Sequence, residues 1–544
     1  MQLHFATVWE TISDLHPDVD AVVQGERRLS YREFDELAAR FAAAVGGAGL
    51  GPDSKVALYL YNSPEYLVAQ YGAFKARAAA INVNYRYVDD ELAYLLADSD
   101  SEVLVFHTSL ADRVARVADR LPLLRLLVEV DDGGGVHLDG AVPMEKLLAD
   151  HDPAPRVERG GDDLYMLYTG GTTGMPKGVM YHQHDFVKGM YANFALLGLP
   201  VAPPASIEEI PDFVAAMDQL PRLVSIPCPP LMHGTGMWVG AMPALVAGGT
   251  VVLLESRTFD PSELWRVAER ERATRVVVVG DAFARPMLRA LEQMESEGRA
   301  CDLSSVDSIA SSGAMWSAEV KDGLAARLDA VMIDALGSTE GGGYGVTSAS
   351  RTAKVDTARF SLVPGTRVIT ADGRDVEPGS DEQGLLATQT GAYGYYKDPE
   401  KTARTFRELD GAWYVLTGDW ATVDADGSIR LLGRGSNCIN SGGEKIYPEE
   451  VEEALKRHEA VDDCLVVGLP HERFGQQVVA VAGCGRPERP GGDELRAWLR
   501  SSLSGYKIPK HIVVVDAVRR APNGKADYGW ARQVASEAAP ATAG

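Results

Sequence analysis

A glycine-rich loop with a single lysine is the most chemically informative stretch of the sequence. Residues 167–178 read LYTGGTTGMPKG and follow a short apolar run that is typical of a β-strand. Glycines let backbone N–H groups approach an anion closely, while the threonine hydroxyls and the ammonium group of Lys177 add donors. The loop therefore predicts phosphate binding. It is not a Walker A loop, in which Ser or Thr follows the lysine. A dinucleotide-binding fold is also excluded, since no GxGxxG segment follows the first predicted strand.

Four further motifs follow this loop in order along the chain. They are residues 336–340 (LGSTE), 416–419 (LTGD), 433–452, which contain SGGEKIYPEEVE, and 522–525 (PNGK). Together with the loop, they resemble the adenylate-forming superfamily, which includes acyl-CoA synthetases, stand-alone adenylation domains and firefly luciferase. The resemblance covers nearly the whole chain. Residues 433–445 (GRGSNCINSGGEK), with Gly313, Leu336 and 507–509 (KIP), are most similar to actinobacterial acyl-CoA synthetases that activate fatty acids and sterol side-chain acids.

The resemblance implies a site for ATP and Mg²⁺. Adenylation joins a carboxylate to the α-phosphate of ATP, so cations are needed where the negative charges meet. Lys525 would bridge the two groups, and Glu340 and Thr169 would hold the metal, which takes few protein oxygens beside phosphates and water. The implied catalytic residues are Lys525, Glu340 and Thr339. The implied ATP-binding residues are Thr169, Gly170, Gly171, Thr172, Thr173, Gly174, Lys177, Gly313, Leu336, Gly337, Asp419 and Arg434, of which Asp419 would accept the ribose hydroxyls.

The resemblance also implies sites for the acid and for CoA as a co-substrate. After adenylation the C-terminal domain of the family swings, so that the 441–443 turn replaces the Lys525 loop and lines the pantetheine channel. The implied CoA-binding residues are Ser441, Gly442, Gly443, Lys445 and Tyr506. The implied acyl-binding residues are His233, Met237, Trp238 and Asp281. Amino-acid-activating relatives carry Asp at the border of the acyl carboxylate, where this chain has His233, so an amino-acid substrate is disfavoured.

Two positions depart from the family pattern. Leu336 stands where the family has an adenine-stacking tyrosine, and Ser436 stands where the hinge usually carries Asp or Lys. Neither change removes a catalytic charge, so both are expected to leave the activity intact. They would restrict the chain to a narrower subgroup of the family.

Short β-branched runs alternate with amphipathic stretches from about residue 55 to 339, which predicts α/β layers with mostly parallel strands. The predicted strands are Val56–Tyr61, Glu102–His107, Leu164–Tyr168, Val224–Pro227, Thr250–Leu254, Arg275–Val279 and Val331–Ala335. The predicted helices are Pro64–Ala78, Pro261–Arg272, Ala282–Glu297 and Ala318–Leu328. Turns at 371–373 and 424–427 predict hairpins, and the proline-rich stretch 200–221 predicts a surface excursion with a short acidic helix.

The length of 544 residues is too great for one hydrophobic core, since cores stop growing near roughly 250–300 residues. We expect a mixed α/β fold. Its large N-terminal AMP-binding domain, of layered sheets and helices, would span residues 1–433. Its small, mobile α+β C-terminal domain would span 434–544.

Charge and composition exclude several functional classes. The chain has 77 Asp and Glu against 53 Lys and Arg, a formal charge of −24, which argues against nucleic-acid binding. No basic segment followed by an apolar run marks a secretory signal, and no apolar stretch reaches the about 18–20 residues of a membrane span. The five cysteines form no CxxC pair. We expect a cytoplasmic protein whose partners are a small-molecule carboxylic acid, ATP and CoA. A homodimer is one of the assemblies that the sequence leaves open.

The sequence thus predicts an ATP-dependent ligase that activates a hydrophobic carboxylic acid as an acyl-adenylate and then transfers it to CoA. The alternative within the superfamily is a stand-alone adenylation enzyme that loads a carrier-protein phosphopantetheine. A non-catalytic acyl-nucleotide-binding protein is disfavoured because Glu340, Asp419, Arg434 and Lys525 are all present.

Overall fold

The fold is described from a computed structural model. It describes residues 1–169, 175–196, 201–354, 356–434, 437–441, 444–471, 475–486, 488–500, 503, 505–522 and 524–538. For Arg434 and Lys445 the description covers the backbone. The predicted ligand-binding residues Gly170, Gly171, Thr172, Thr173, Gly174, Gly442 and Gly443 lie outside the described residues, as does the hinge residue Ser436.

A long mixed sheet is the central element of the molecule. Its strands, in spatial order, are Thr366–Ile369, Gly384–Gln389, Ala412–Val423, Ile429–Arg434, Arg359–Leu362, Gly342–Ala349, Val331–Ser338, Ser308–Ser312, Arg275–Val278, Val224–Pro227, Thr250–Leu253, Asp20–Gln24 and Arg27–Ser30, with Phe406–Leu409 paired to Ala412–Val423. From Asp20–Gln24 to Val331–Ser338 neighbouring strands are parallel, and beyond Val331–Ser338 they are antiparallel. The parallel part presents a row of strand ends at one edge, where ligands bind in open α/β sheets.

Two smaller sheets lie beside the long one. A parallel sheet has the order Ala79–Asn82, Lys55–Tyr59, Val103–His107, Leu126–Val130 and Val142–Pro143. An antiparallel sheet consists of Ala392–Tyr395, Lys177–His182 and Leu164–Thr169. The antiparallel pair Leu164–Thr169 and Lys177–His182 flanks the glycine-rich loop, with Thr169 opposite Lys177.

Helices cover the faces of these sheets. They are Phe5–Leu15, Tyr31–Gly47, Pro64–Lys75, Asp89–Asp98, Ala111–Val117, Met144–Ala149, Gln183–Leu196, Ile210–Met217, Met242–Val246, Pro261–Arg270, Gly280–Ser296, Ala318–Arg327, Pro399–Thr405, Pro448–Lys456, Gly492–Leu499 and Tyr528–Ala538. Short 3₁₀ turns lie at Thr108–Leu110, Ala118–Arg120 and Ile207–Glu209. A π-helix spans Thr235–Ala241. Among the described residues no helix is long and apolar enough to cross a membrane.

The chain changes sheet just after Arg434. Strand Ile429–Arg434 belongs to the long sheet, whereas the strands that follow form a separate one with its own apolar core. That sheet contains Glu444–Ile446, Ile439–Ser441, Gly475–Gly483, Asp463–His471 and His511–Val515. The predicted mixed α/β fold with a smaller C-terminal unit is confirmed.

Most predicted elements form with bounds shifted by a few residues. The buried strand predicted at Arg275–Val279 ends at Val278, and the helix predicted at Ala282–Glu297 runs from Gly280 to Ser296. The prediction for residues 200–221 is wrong in one respect. Helix Ile210–Met217 is not a surface excursion, because Ile210 and Phe213 are buried in the main core.

Candidate active site

A cavity of about 940 Å³ lies in the large N-terminal part, between the long sheet and the helices that face it. One wall is the exposed face of the parallel strands, and the opposite wall is helix Gln183–Leu196 with the π-helix Thr235–Ala241. The C-terminal segment closes one side. Of the predicted site residues described, those that line the cavity are Thr169, Gly313, Gly337, Thr339, His233, Trp238 and Lys525. The structure therefore brings together residues that are up to 356 positions apart, from Thr169 to Lys525.

Glu340 lies just outside this wall and is held by two hydrogen bonds. Tyr395 donates its hydroxyl proton to Oε1 of Glu340 at 2.7 Å, and the Thr390 hydroxyl donates to the main-chain oxygen of Glu340, also at 2.7 Å. Tyr181 donates to the main-chain oxygen of the neighbouring Thr339. Within the described part of the chain, Oε2 of Glu340 has no hydrogen-bond partner. The carboxylate is thus oriented through one oxygen while the other stays available.

Asp419 is buried within the long strand Ala412–Val423. Tyr344 donates its hydroxyl proton to Oδ2 of Asp419, and the Asp419 N–H donates to the Thr417 hydroxyl at 3.1 Å. Asp419 pairs in register with Arg434 on the adjacent strand. Like Leu336, Asp419 is not among the residues that line the cavity.

Lys525 reaches the cavity from a tight turn in the C-terminal segment. The Ala521 N–H donates to the Lys525 main-chain oxygen at 2.9 Å, and the Gly524 N–H donates back to Ala521 at 2.9 Å. Gly524 has a φ of +74°, and a Cβ there would lie 3.0 Å from a methyl group of Val279, just beyond the strand Arg275–Val278. A side chain at position 524 would be strained at this φ, and Val279 would have to shift by a few tenths of an ångström. Glycine therefore suits the turn that presents Lys525 to the cavity.

Arg520 fixes the base of this turn. Its Nη1 donates to the main-chain oxygen of Gly524 at 3.0 Å, and its Nη2 donates to Asp463 at 2.7 Å. Lys456 also pairs with Asp463, at 3.1 Å. Burial opposes the ionisation of Asp463, but Lys456 and Arg520 keep the pKa of its carboxyl group well below the usual value. Sequence reasoning missed Arg520, although an arginine five residues before the predicted catalytic lysine was a usable signal.

His233 is a neutral histidine at the cavity wall. Burial lowers its pKa to about 3, and the positive charges of Lys525 and Arg86 act in the same direction. Its buried Nε2 has no hydrogen-bond partner among the described residues. A buried polar atom without a partner at a cavity wall is expected to be satisfied by a ligand or by water.

Two of the predicted acyl-binding residues lie elsewhere. Met237 is buried in the main apolar core, because the π-helix turns it away from the cavity, while Trp238 faces the cavity and donates to the Tyr165 hydroxyl at 2.6 Å. Asp281 does not line the cavity either. Its carboxylate accepts the Ser317 N–H at 2.9 Å and pairs with Arg285 at 3.4 Å, beside a second cavity of about 560 Å³. The Asp281 carboxylate, which was predicted to bind the acid, is therefore already engaged by Ser317 and Arg285.

The remaining predicted residues are spread over the surface near the site. Lys177 forms an ion pair with Asp398 at 3.6 Å, outside the cavity wall. Ser441 ends a hairpin strand of the C-terminal sheet. Tyr506 is exposed and packs under the ammonium group of Lys507, 5.7 Å from the ring centre. The structure therefore does not bring Ser441 and Tyr506 to the main cavity.

Tyr395, Tyr181 and Tyr344 are neighbours of predicted site residues that sequence reasoning missed. Each bonds a residue of a recognised motif, at a separation of 55, 158 and 75 positions respectively. No spacing rule links them to those motifs in the sequence, since the contacts arise from strand order.

Comparisons with known proteins agree with the motifs. The AMP-binding enzyme family matches residues 9–396, and the AMP-binding enzyme C-terminal domain matches residues 450–525. A Mycolicibacterium smegmatis protein named medium/long-chain-fatty-acid–CoA/3-oxocholest-4-en-26-oate–CoA ligase is 40% identical over 99% of this chain and 97% of its own. The Mycobacterium avium medium-chain acyl-CoA ligase Mig is 42% identical over 95% of this chain and 96% of its own.

Solved structures show the same fold. The anthranilate CoA ligase AuaEII in complex with anthranoyl-AMP aligns with a TM-score of 0.83 at 21% identity, over 99% of this chain and 98% of its own. A Mycobacterium tuberculosis fatty acyl CoA synthetase aligns with a TM-score of 0.70 at 23% identity, over 99% of both chains. The family match covers well over half of the chain, and the curated relatives are similar over almost all of it. The chain therefore belongs to the AMP-binding enzyme family, as an adenylate-forming enzyme of the acyl-CoA synthetase type.

Proposed function

We propose that the protein is an ATP-dependent ligase that joins a hydrophobic carboxylic acid to CoA through an acyl-adenylate. The observation that carries the proposal is the cavity in which Lys525 meets Thr169, Thr339 and His233. The acid carboxylate attacks the α-phosphorus of ATP and pyrophosphate leaves. The CoA thiolate then attacks the acyl carbonyl carbon, AMP leaves, and the thioester remains. ATP and CoA as substrates accord with the membership of the chain in this family.

Lys525 would stabilise the charge that accumulates in the first step. The carboxylate and the α-phosphate are both anionic, and a preorganised ammonium group at their meeting point lowers the barrier most when water is excluded. Arg520 holds the turn that presents Lys525. The neutral state of His233 adds no competing positive charge beside the ammonium group.

Mg²⁺ fits the residues that are present. Glu340 offers one carboxylate oxygen that is not used by another described residue, and Thr169 offers a hydroxyl. Among the described residues there is no cluster of three or more His, Cys, Asp or Glu side chains that could hold a metal ion. This suits Mg²⁺, which binds through one or two carboxylates together with phosphates and water. The ion would neutralise phosphate charge.

We further propose that Asp419 and Arg434 bind the ribose and that Leu336 and Gly337 lie beside the adenine. Buried Asp419 is oriented by Tyr344, so its carboxylate is held in one position. The predicted glycine-rich loop, Gly170 to Gly174, would cradle the phosphates with Lys177 and Gly313 nearby. For CoA, we propose Ser441, Gly442, Gly443, Lys445 and Tyr506.

Ser441 and Tyr506 do not line the main cavity in this arrangement, which suits the two-step reaction. We propose domains of residues 1–433 and 434–544, supported by the change of sheet between Arg434 and Ile439. The C-terminal domain would present Lys525 in the first step and the Ser441 turn in the second.

The acid that fits the cavity is largely apolar. The walls of the cavity include Phe186, Met190, Trp238 and Val346. Curated relatives are named for medium-chain, long-chain and steroid acids. Apolar walls bind alkyl or ring carbons, while a few polar groups at one end fix the carboxylate.

We place the enzyme in the cytoplasm, where ATP and CoA are available. A homodimer is one assembly open to this chain, and sedimentation of the purified protein would test it.

The test of the proposed function is turnover of an acid panel by the purified enzyme. Aliphatic, aromatic and steroid acids would be supplied with MgATP and CoA, and AMP, pyrophosphate and acyl-CoA would be measured. Release of all three with at least one class supports the proposal, and release with none contradicts it. A phosphopantetheinylated carrier protein in place of CoA distinguishes the second acceptor.

The matched variants are Lys525→Ala and Lys510→Ala. K525A should lower acid-dependent pyrophosphate exchange by at least about 100-fold, since it removes the charge at the reacting centre. Lys510 precedes the strand His511–Val515 of the C-terminal sheet and does not line the cavity, so K510A should retain exchange.

A further inference from the structure

A buried arginine, Arg275, lines the cavity at the end away from Lys525. Arg275 begins the strand Arg275–Val278, whereas Val279, just beyond that strand, contacts the Lys525 turn at Gly524. Side chains alternate along a strand, so Arg275, Val277 and Val279 lie on one face. The four residue steps from Arg275 to Val279 span about 13 Å at the rise of a parallel strand. Arg275 and the carboxylate-activating group thus lie at opposite ends of one sheet face.

The space between these ends is mostly apolar. Ala310, Ile333 and Ala335 continue the same wall on the next two strands, and Met190 lies on the facing helix. These residues supply no charge that could neutralise a guanidinium group.

The guanidinium group of Arg275 is nearly buried yet incompletely paired. The residue is 9% exposed, and its Nε donates to the Ser308 hydroxyl at 3.3 Å, which in turn donates to Asp307 at 2.7 Å. No residue that the structure describes forms a hydrogen bond or an ion pair with Nη1 or Nη2 of Arg275. Burial lowers the pKa of Arg275, opposed by the charge of Asp307. Buried cations are almost always paired, so two free donors at a cavity wall imply an acceptor that arrives with the ligand.

We infer that Arg275 binds an acceptor oxygen at the distal end of the acid and selects substrates that carry one. The preferred acid has a ketone or a second carboxylate at the end that lies away from the reacting carboxyl group. A guanidinium fork donates two parallel hydrogen bonds to such a group. An acid that ends in a methyl group would leave the donors unpaired, which sites built for a polar group penalise strongly. This inference rests on the proposed ligase activity.

Three acids of equal length test it. Decanoic acid ends in a methyl group, 9-oxodecanoic acid carries a ketone near its end, and decanedioic acid ends in a carboxylate. On the wild-type enzyme, kcat/KM for at least one oxygenated acid should exceed that for decanoic acid by about tenfold or more, as expected for hydrogen bonds from a charged donor. The ranking of the ketone and the carboxylate identifies which acceptor is used.

Arg275→Met should abolish this preference, because methionine has a similar length and no donors. Arg275→Lys should retain part of it. Arg266→Met makes the same change on the exposed face of helix Pro261–Arg270, away from the cavity, and should leave the ratio of kcat/KM values unchanged. Equal kcat/KM values for the three acids on the wild-type enzyme would overturn the inference, as would a preference that survives in R275M.

The failure of this inference is distinguishable from the failure of the proposed function. Turnover of acids with no effect of a distal oxygen contradicts the role of Arg275 alone. The absence of AMP, pyrophosphate and acyl-CoA with every acid contradicts the ligase activity and, with it, the role of Arg275. Since the acids are compared on the wild-type protein, the test does not depend on the folding of R275M.

Discussion

His233 shows how strongly burial changes the chemistry of a single residue. In the unfolded chain its pKa has the ordinary value of 6.5, whereas in the folded protein burial, reinforced by Lys525 and Arg86, lowers it to about 3. At neutral pH the imidazole is uncharged in both states. Below pH 6.5 the His233 imidazole binds a proton in the unfolded chain but stays neutral in the folded protein. The free energy of unfolding therefore decreases as the pH falls.

This difference predicts a measurable pH dependence. Between pH 7 and pH 5 the wild-type protein should lose about 2 kcal/mol of unfolding free energy more than His233→Gln, which has no proton to bind. Urea unfolding midpoints of the two proteins at both pH values check this. The same loss in both proteins would show that His233 is protonated in the folded state.

Arg520 acts at the residue scale by holding the Lys525 turn. Lysine at this position keeps the charge opposite Asp463 but cannot donate to both Asp463 and the Gly524 oxygen in the fork geometry. We expect Arg520→Lys to slow acid-dependent pyrophosphate exchange by about tenfold, the cost of one charged hydrogen bond. Thioester formation from preformed acyl-adenylate should stay near the wild-type rate, because that step does not use Lys525.

The neighbouring Arg519 supplies the matched control. It is exposed and pairs with Asp527 at 3.2 Å, so Arg519→Lys should leave both half-reactions unchanged. If R520K slowed the two half-reactions equally, Arg520 would be a structural residue and not one that positions Lys525.

At the scale of elements, the π-helix Thr235–Ala241 shapes the acid end of the cavity. It turns Met237 into the core and Trp238 toward the cavity, and such helices are frequent at functional sites. Its close packing depends on Gly236. A Cβ at this position would lie 2.3 Å from the main-chain oxygen of Pro230, so the backbone of one segment would have to move.

We therefore expect opposite effects from two glycine substitutions. Gly236→Ala should destabilise the protein by about 1–3 kcal/mol through overpacking. Gly189→Ala lies in helix Gln183–Leu196, where a Cβ would have no heavy atom within 4 Å, and should stabilise by up to about 1 kcal/mol. Thermal unfolding of both variants checks the signs, and a neutral G236A would show that the Pro229–Pro230 segment can yield.

At the scale of the whole molecule, an ion pair connects the large N-terminal part with the C-terminal part. Arg289, on helix Gly280–Ser296, binds Asp462, which precedes the strand Asp463–His471 of the C-terminal sheet. Asp462 and Asp463 are neighbours with different partners, since Asp462 binds the large part and Asp463 binds Arg520 behind the Lys525 turn. The arrangement links docking of the C-terminal part to the presentation of Lys525.

Breaking this pair should favour one half-reaction over the other. We expect Arg289→Gln to slow pyrophosphate exchange by about two- to fivefold at low ionic strength and to leave thioester formation unchanged, since partly exposed ion pairs contribute little. The effect should be smaller in about 0.5 M salt, because salt at this concentration screens the interaction between exposed charges. Arg327→Gln breaks pairs with Glu292 and Glu295 within the large part and should affect neither step. A salt-independent effect of R289Q would exclude the ion pair as its cause.

The sequence by itself determined the family, the fold class and the order of the motifs, because each motif is a local pattern with its own chemical requirement. Three such patterns can be recognised without knowledge of any tertiary contact: the glycines of the loop, the lysine of the terminal turn and the alternating apolar runs. Tertiary structure alone decided which side chains share the cavity. The partnership of Tyr395 with Glu340, the withdrawal of Asp281 to cap Ser317 and the burial of Arg275 all follow from strand order and packing. The net charge of −24 likewise says nothing about a site whose cations are gathered from distant segments. Local sterics act over a few residues, whereas the pairing of strands and the burial that shifts a pKa depend on segments hundreds of residues apart.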